Sequence, residues 1–86
     1  MRIEFANNFD KHLRKCPDKI KRAFQNRLIL FIQDKYHPLL KNHRLSGMWR
    51  QYRSINITGD WRAIFREFSA GEVIFFAEIG THSQLY

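Results

Sequence analysis

The sequence predicts a single small α+β domain, with a twisted antiparallel sheet and two helices packed on one of its faces. Three observations predict it. Apolar residues recur at three- and four-residue steps in the first half, through Ile20, Ala23, Phe24, Leu28 and Phe31, which is the period of a helix with one buried face. The second half alternates instead and is divided by short glycine-containing turns at Thr58-Gly59 and Ser69-Ala70-Gly71, the signature of consecutive hairpins. Finally, 86 residues with 44% hydrophobic content, including eight Phe, three Tyr and two Trp, can fill one compact core. Residues 1–86 therefore form one domain in the order β-α-α-β-β-β.

The elements follow in turn. Arg2 to Phe5 alternates as a short strand, and Asn7 or Asn8 can cap the helix after it. Phe9 and Leu13 share one face of that helix, with Lys11, His12, Arg14 and Lys15 around it. Cys16-Pro17 breaks the chain, and Pro17 and Asp18 both suit the first turn of a second helix over residues 17–34. Leu30 and Ile32 are expected to broaden its apolar face. Lys35 to Gly47 is the most cationic irregular stretch and holds two of the four histidines. Three strands then close the chain: Met48 to Thr58, Asp60 to Phe68, and Glu72 to Ile79.

The net charge of +7 is unevenly placed. Residues 1–47 hold eleven Lys/Arg against four Asp/Glu, whereas residues 48–86 hold four of each sign. Such a surface fits a polyanion or an acidic protein. No apolar run is long enough to span a bilayer, and the N-terminus enters a strand pattern with no signal-peptide core. Cys16 is alone, so no internal disulfide and no paired-cysteine metal site is expected. The histidines of the loop lack a nearby carboxylate or thiol cluster. These points predict a cytoplasmic protein that works without a metal or cofactor.

Strand alternation sorts the side chains between faces. Tyr52, Ser54 and Asn56 share one side, opposite Arg53, Ile55 and Ile57. Arg62, Ile64 and Arg66 oppose Trp61, Ala63 and Phe65. Tyr52, Asn56, Arg62 and Arg66 thus line the face that the helices leave open, while Arg53 falls awkwardly on the apolar side. After the last strand, Gly80 turns the chain, and His82 and Tyr86 follow. One carries protons near neutral pH, and the other is an aromatic plate with a polar tip.

The series Asn42-His43-Arg44-Leu45-Ser46-Gly47, Tyr52-Arg53, Asp60-Trp61-Arg62-Ala63-Ile64-Phe65 and Gly80-Thr81-His82-Ser83-Gln84-Leu85-Tyr86 resembles the RelE/ParE superfamily of toxins, and its YafQ-like branch most of all. The resemblance implies a toxin of a type II toxin–antitoxin pair that cuts mRNA on the ribosome and is silenced by a cognate antitoxin. By position it implies catalytic roles for His43, Asp60, His82 and Tyr86. Arg62 stands where RelE- and YoeB-like relatives carry a catalytic arginine. Asn56 stands where the branch usually has a further histidine, and an amide cannot exchange a proton at neutral pH.

The chemistry is consistent with these residue types. RNA is cut without metal when its 2′-OH attacks the adjacent phosphate, which needs a base, an acid and donors for the transition-state charge. His82 is expected to be the acid, and Asp60 or His43 the base. Arg62 and Arg66 would hold phosphate, Tyr86 would stack on a splayed base, and Lys41, Arg44, Tyr52 and Asn56 would contact the substrate. Two other readings remain open: a ParE-like inhibitor that binds DNA gyrase, and a catalytically impaired binding module of the same fold. An acidic antitoxin segment is expected to cover the basic face.

Overall fold

A computed structural model describes residues 1–86. Arg2–Phe5 is the first strand, β1, followed by helices α1 (Asn7–Arg14) and α2 (Asp18–Gln33). The second half supplies β2 (His43–Arg44), β3 (Arg53–Thr58), β4 (Trp61–Phe68) and β5 (Val73–Thr81), and a four-residue helix, α3 (His82–Leu85), ends the chain. No helix is long and apolar enough to cross a membrane.

The two long helices form where the apolar spacing places them. The N-cap of α1 is Ala6, with extended backbone and no side-chain cap; Asn7 is already the first helical residue, so neither asparagine caps. Pro17 precedes α2, and its carbonyl accepts from the N–H groups of Ile20 and Lys21. Its missing N–H costs nothing there. The buried stripe of α2 is Ile20, Phe24 and Phe31. Ile32 does not broaden it: that residue is 52% exposed, as Ile29 is 58%, on the outward side of the helix.

The five strands run in the order β1-β5-β4-β3-β2. The sheet is mixed rather than antiparallel throughout, because β1 pairs parallel with β5, from Arg2 opposite Val73 to Phe5 opposite Phe76. Tight turns fix the relative direction of β3, β4 and β5. Between β1 and its partner lie two helices and three strands, so no local turn fixes its direction.

The strand expected from Met48 begins only at Arg53. Gly47 adopts a left-handed φ of +63° and starts a single 3-10 turn over Gly47–Trp49. The backbone N–H of Leu45 then bonds the carbonyl of Tyr52 at 3.0 Å, which draws His43–Arg44 alongside β3 as the extra strand β2.

Phenylalanines fill the space between helices and sheet. The Phe76 ring lies 5.5–5.9 Å from those of Phe9, Phe24, Phe31 and Phe65, all four of which belong to the buried cluster. Strict alternation along β5 would put Phe76 and Ile79 on opposite faces, yet both are in this core. A register shift reconciles them: Ile64 pairs with Glu78, but Phe65 pairs with Phe76, leaving Ala77 as the extra residue of a bulge. The shift sets Gly80 opposite Arg62.

Candidate active site

The face of the sheet away from the helices carries a depression of about 520 Å³. The segment around β2 supplies Lys41, His43, Arg44, Leu45 and Ser46 to its walls; β3 and β4 supply Asn56 and Arg62, and the end of the chain supplies His82 and Tyr86. Three permanent cations and no carboxylate line it, which suits an anion.

Several of the lining side chains are held by local devices. Lys41 takes a left-handed conformation (φ 47°), and its carbonyl meets His43 Nδ1 at 2.8 Å. A carbonyl can only accept, so Nδ1 carries the proton of this bond. In neutral His43, Nε2 is then left with a free lone pair. Arg53 resolves as a brace: its Nε donates to Asn42 Oδ1 at 2.7 Å, and Asn42 Nδ2 donates to the Lys35 carbonyl at 2.9 Å. The guanidinium also lies 5.8 Å from the centre of the Tyr36 ring. Arg53 thus sits at the rim of the helix-covered face and ties β3 to the loop that presents Lys41 and His43.

Arg62 Nη1 donates to the carbonyls of Gly59 at 2.8 Å and Trp61 at 3.0 Å. Its Nε and Nη2 donate to nothing in the protein, so an anchored fork has free donors for a ligand. The backbone N–H of His82 bonds the Asp60 carbonyl at 2.9 Å, and the His82 and Tyr86 rings stand 4.8 Å apart at 55°.

Seven of the ten residues singled out from the sequence meet in the depression: Lys41, His43, Arg44, Asn56, Arg62, His82 and Tyr86. The other three do not line it. Asp60 reaches the site through its backbone, and its exposed carboxylate makes no hydrogen bond. Arg66 lies over the rings of Tyr52 and Phe68, at 5.9 and 4.8 Å, away from the depression. Leu45 and Ser46 line the site without having been anticipated. The brace from Arg53 to Asn42 was also not foreseen, although an arginine on an apolar strand face was its sequence signal. No three His, Cys, Asp or Glu side chains converge as a metal site would require.

The model of the YafQ family, described as a bacterial toxin of a type II toxin–antitoxin system, matches residues 1–86. The chain belongs to the YafQ toxin family. It is thus a type II toxin of the YafQ/RelE kind. The fold agrees: YafQ from E. coli strain BL21(DE3) superimposes with a TM-score of 0.82 at 22% identity, covering 100% of this chain and 99% of that one. YafQ in the E. coli DinJ–YafQ toxin–antitoxin complex gives 0.78 at 23% identity over 98% and 94% of the two chains. A YoeB/ParE toxin from Agrobacterium tumefaciens gives 0.79 at 15% identity over 95% and 99%. No curated protein matches the chain in sequence.

Proposed function

We propose that this YafQ-family toxin is an endoribonuclease that cuts mRNA on the ribosome without a metal. The observation that carries the reading is the meeting of His43, Arg62 and His82 in one cationic depression, from three separate elements. In the proposed reaction His43 Nε2 takes the proton of the ribose 2′-OH, and the 2′-oxygen forms a bond to the adjacent phosphorus. The bond from phosphorus to the 5′-oxygen breaks as His82 protonates that oxygen. The products are a 2′,3′-cyclic phosphate and a 5′-hydroxyl end. The free donors of Arg62 face the charge that grows on the phosphoryl oxygens, and Tyr86 stacks on an unpaired base. Asp60 serves through its carbonyl, which favours His43 over Asp60 as base. DNA, lacking the 2′-OH, is not cut.

The partner that silences the toxin is proposed to be an antitoxin with an acidic, amphipathic segment, by likeness to the YafQ of the DinJ–YafQ complex. The outer side of α2 and the turn after it expose Ile29, Ile32, Tyr36 and Leu39, with Lys35 and Arg53 both against the Tyr36 ring. An apolar stripe with a cationic edge on a chain of net charge +7 fits such a segment better than a second copy of itself. Its affinity is expected to fall with salt.

The test of the catalytic reading is to induce the wild type and His82→Ala in separate cultures and map mRNA 5′ ends by primer extension. Cuts inside reading frames that vanish in the variant support the nuclease. Growth arrest with intact mRNA would overturn it and turn attention to gyrase. Absence of both arrest and cutting would leave a binding module.

A further inference from the structure

The helix α3 separates two hollows. On one side His82 and Tyr86 line the cationic depression; on the other Gln84 and Leu85 line a groove of about 380 Å³ that also touches Trp49, Trp61 and Ile79. Four residues cannot sustain a helix alone, because nucleation costs more than one turn of hydrogen bonds returns. Something outside the helix must therefore fix its direction, and with it both site rings.

Thr81 of β5 supplies that outside hold, and Gln84 is the helix residue that engages it. The Gln84 N–H donates to Thr81 Oγ1 at 3.3 Å, while its side-chain Oε1 accepts from the Thr81 N–H at 2.8 Å, a reciprocal capping box. Thr81 is the last residue of β5 and pairs with Trp61, next to the pairing of Arg62 with Gly80. Gly80 is also what lets Gln84 come so close: a Cβ there would lie 3.0 Å from Gln84 Oε1. The box thus welds the last turn to the strand register that places Arg62.

We propose that Gln84 is a positioning residue for the cleavage site, setting where His82 and Tyr86 stand relative to Arg62 without touching substrate. The inference rests on the nuclease reading for its catalytic part and on geometry alone for its structural part. The variants are Gln84→Ala, which opens the box, and Gln84→Glu, whose carboxylate accepts the same bond.

The test measures cutting by purified toxin on ribosomes programmed with a defined mRNA. In parallel, NMR follows the cross-peaks between ring protons of His82 and Tyr86. The expected result is a kcat for Gln84→Ala lower by about 10- to 100-fold, KM changed less than about twofold, and recovery to within about threefold in Gln84→Glu. The cross-peaks should vanish in the alanine variant and remain in the glutamate one. An alanine variant that cuts at the wild-type rate, or a glutamate variant as poor as alanine, overturns the proposal. If the wild type itself leaves mRNA whole, the nuclease reading fails and NMR alone decides. Cross-peaks that persist in Gln84→Ala then overturn the positioning role. Their disappearance there, with retention in Gln84→Glu, supports it.

Discussion

Asn56 and Arg62 lie directly opposite each other across the β3–β4 ladder, and both line the cationic depression. The chain thus sets an amide beside a guanidinium, at the position where the sequence resemblance implies an imidazole. A histidine at that position would have Arg62 as its cross-strand neighbour, and the cation would disfavour its protonation. It would then stand as a neutral base near neutral pH. Asn56→His is expected to raise the cleavage rate several-fold, measured as the initial rate on ribosome-bound mRNA. An unchanged or lower rate would mean that the amide is the better residue in this site.

Arg62 spends one nitrogen on the Gly59 and Trp61 carbonyls and keeps the others free. A lysine has one nitrogen and cannot both hold the turn and meet a phosphate. Arg62→Lys is therefore expected to behave almost like Arg62→Ala, with kcat down by about 100- to 1000-fold, the usual loss for a transition-state donor. Single-turnover cleavage checks this. A lysine variant within about threefold of wild type, a bound on the order of experimental error in such comparisons, would rule out the anchored-fork role.

Cys16 is 8% exposed, and its Sγ lies 3.3 Å from the His12 carbonyl. Burial raises its thiol pKa, and the Lys21 ammonium opposes this without cancelling it. As pH rises, the unfolded chain gives up this proton first, near the ordinary thiol value of about 8.5. Between that value and the raised one the folded state holds more protons, so stability falls with increasing pH. Urea midpoints measured from pH 7 upward should show this alkaline decline, and Cys16→Ala should flatten it. Alkylation of native Cys16 by iodoacetamide at pH 8 should be slow until urea opens the fold.

Phe76 is fully buried among Phe9, Phe24, Phe31 and Phe65. Phe76→Ala is expected to cost about 3–5 kcal/mol, a large part of the ~5–15 kcal/mol that holds a domain together. A fall in the urea midpoint with little change in slope is the expected sign, and a loss under about 1 kcal/mol would contradict the packing described.

Much of this was legible in the sequence because the relevant signals are periodic. Phe24 and Phe31 announce α2 by spacing, and Ile55 and Ile57 announce the buried face of β3. The opposite face then follows by alternation, which is how Asn56 and Arg62 were placed together. What escaped was too short to have a period. Strand β2 is two residues inside a cationic loop, and α3 is four residues fixed by the Thr81–Gln84 box. Ile79 reaches the core only through a bulge, which alternation cannot foresee. Asp60 shows another boundary: its place in the motif was visible, but that it meets His82 through its carbonyl depends on backbone geometry that residue type does not encode.

The order β1-β5-β4-β3-β2 has a consequence for how the molecule comes into being. The strand made last lies between the first strand and β4, and it carries Ile74, Phe76 and Ile79 into the core. Until it emerges during synthesis, β1 has no partner and the helices have only part of a floor. The pairings that complete the domain thus join the most distant parts of the chain, which places their formation late. His82 and Tyr86 follow directly after that strand. A growing chain therefore has no assembled depression until β5 and α3 have both been made and docked, so the site is the last feature of the domain to exist.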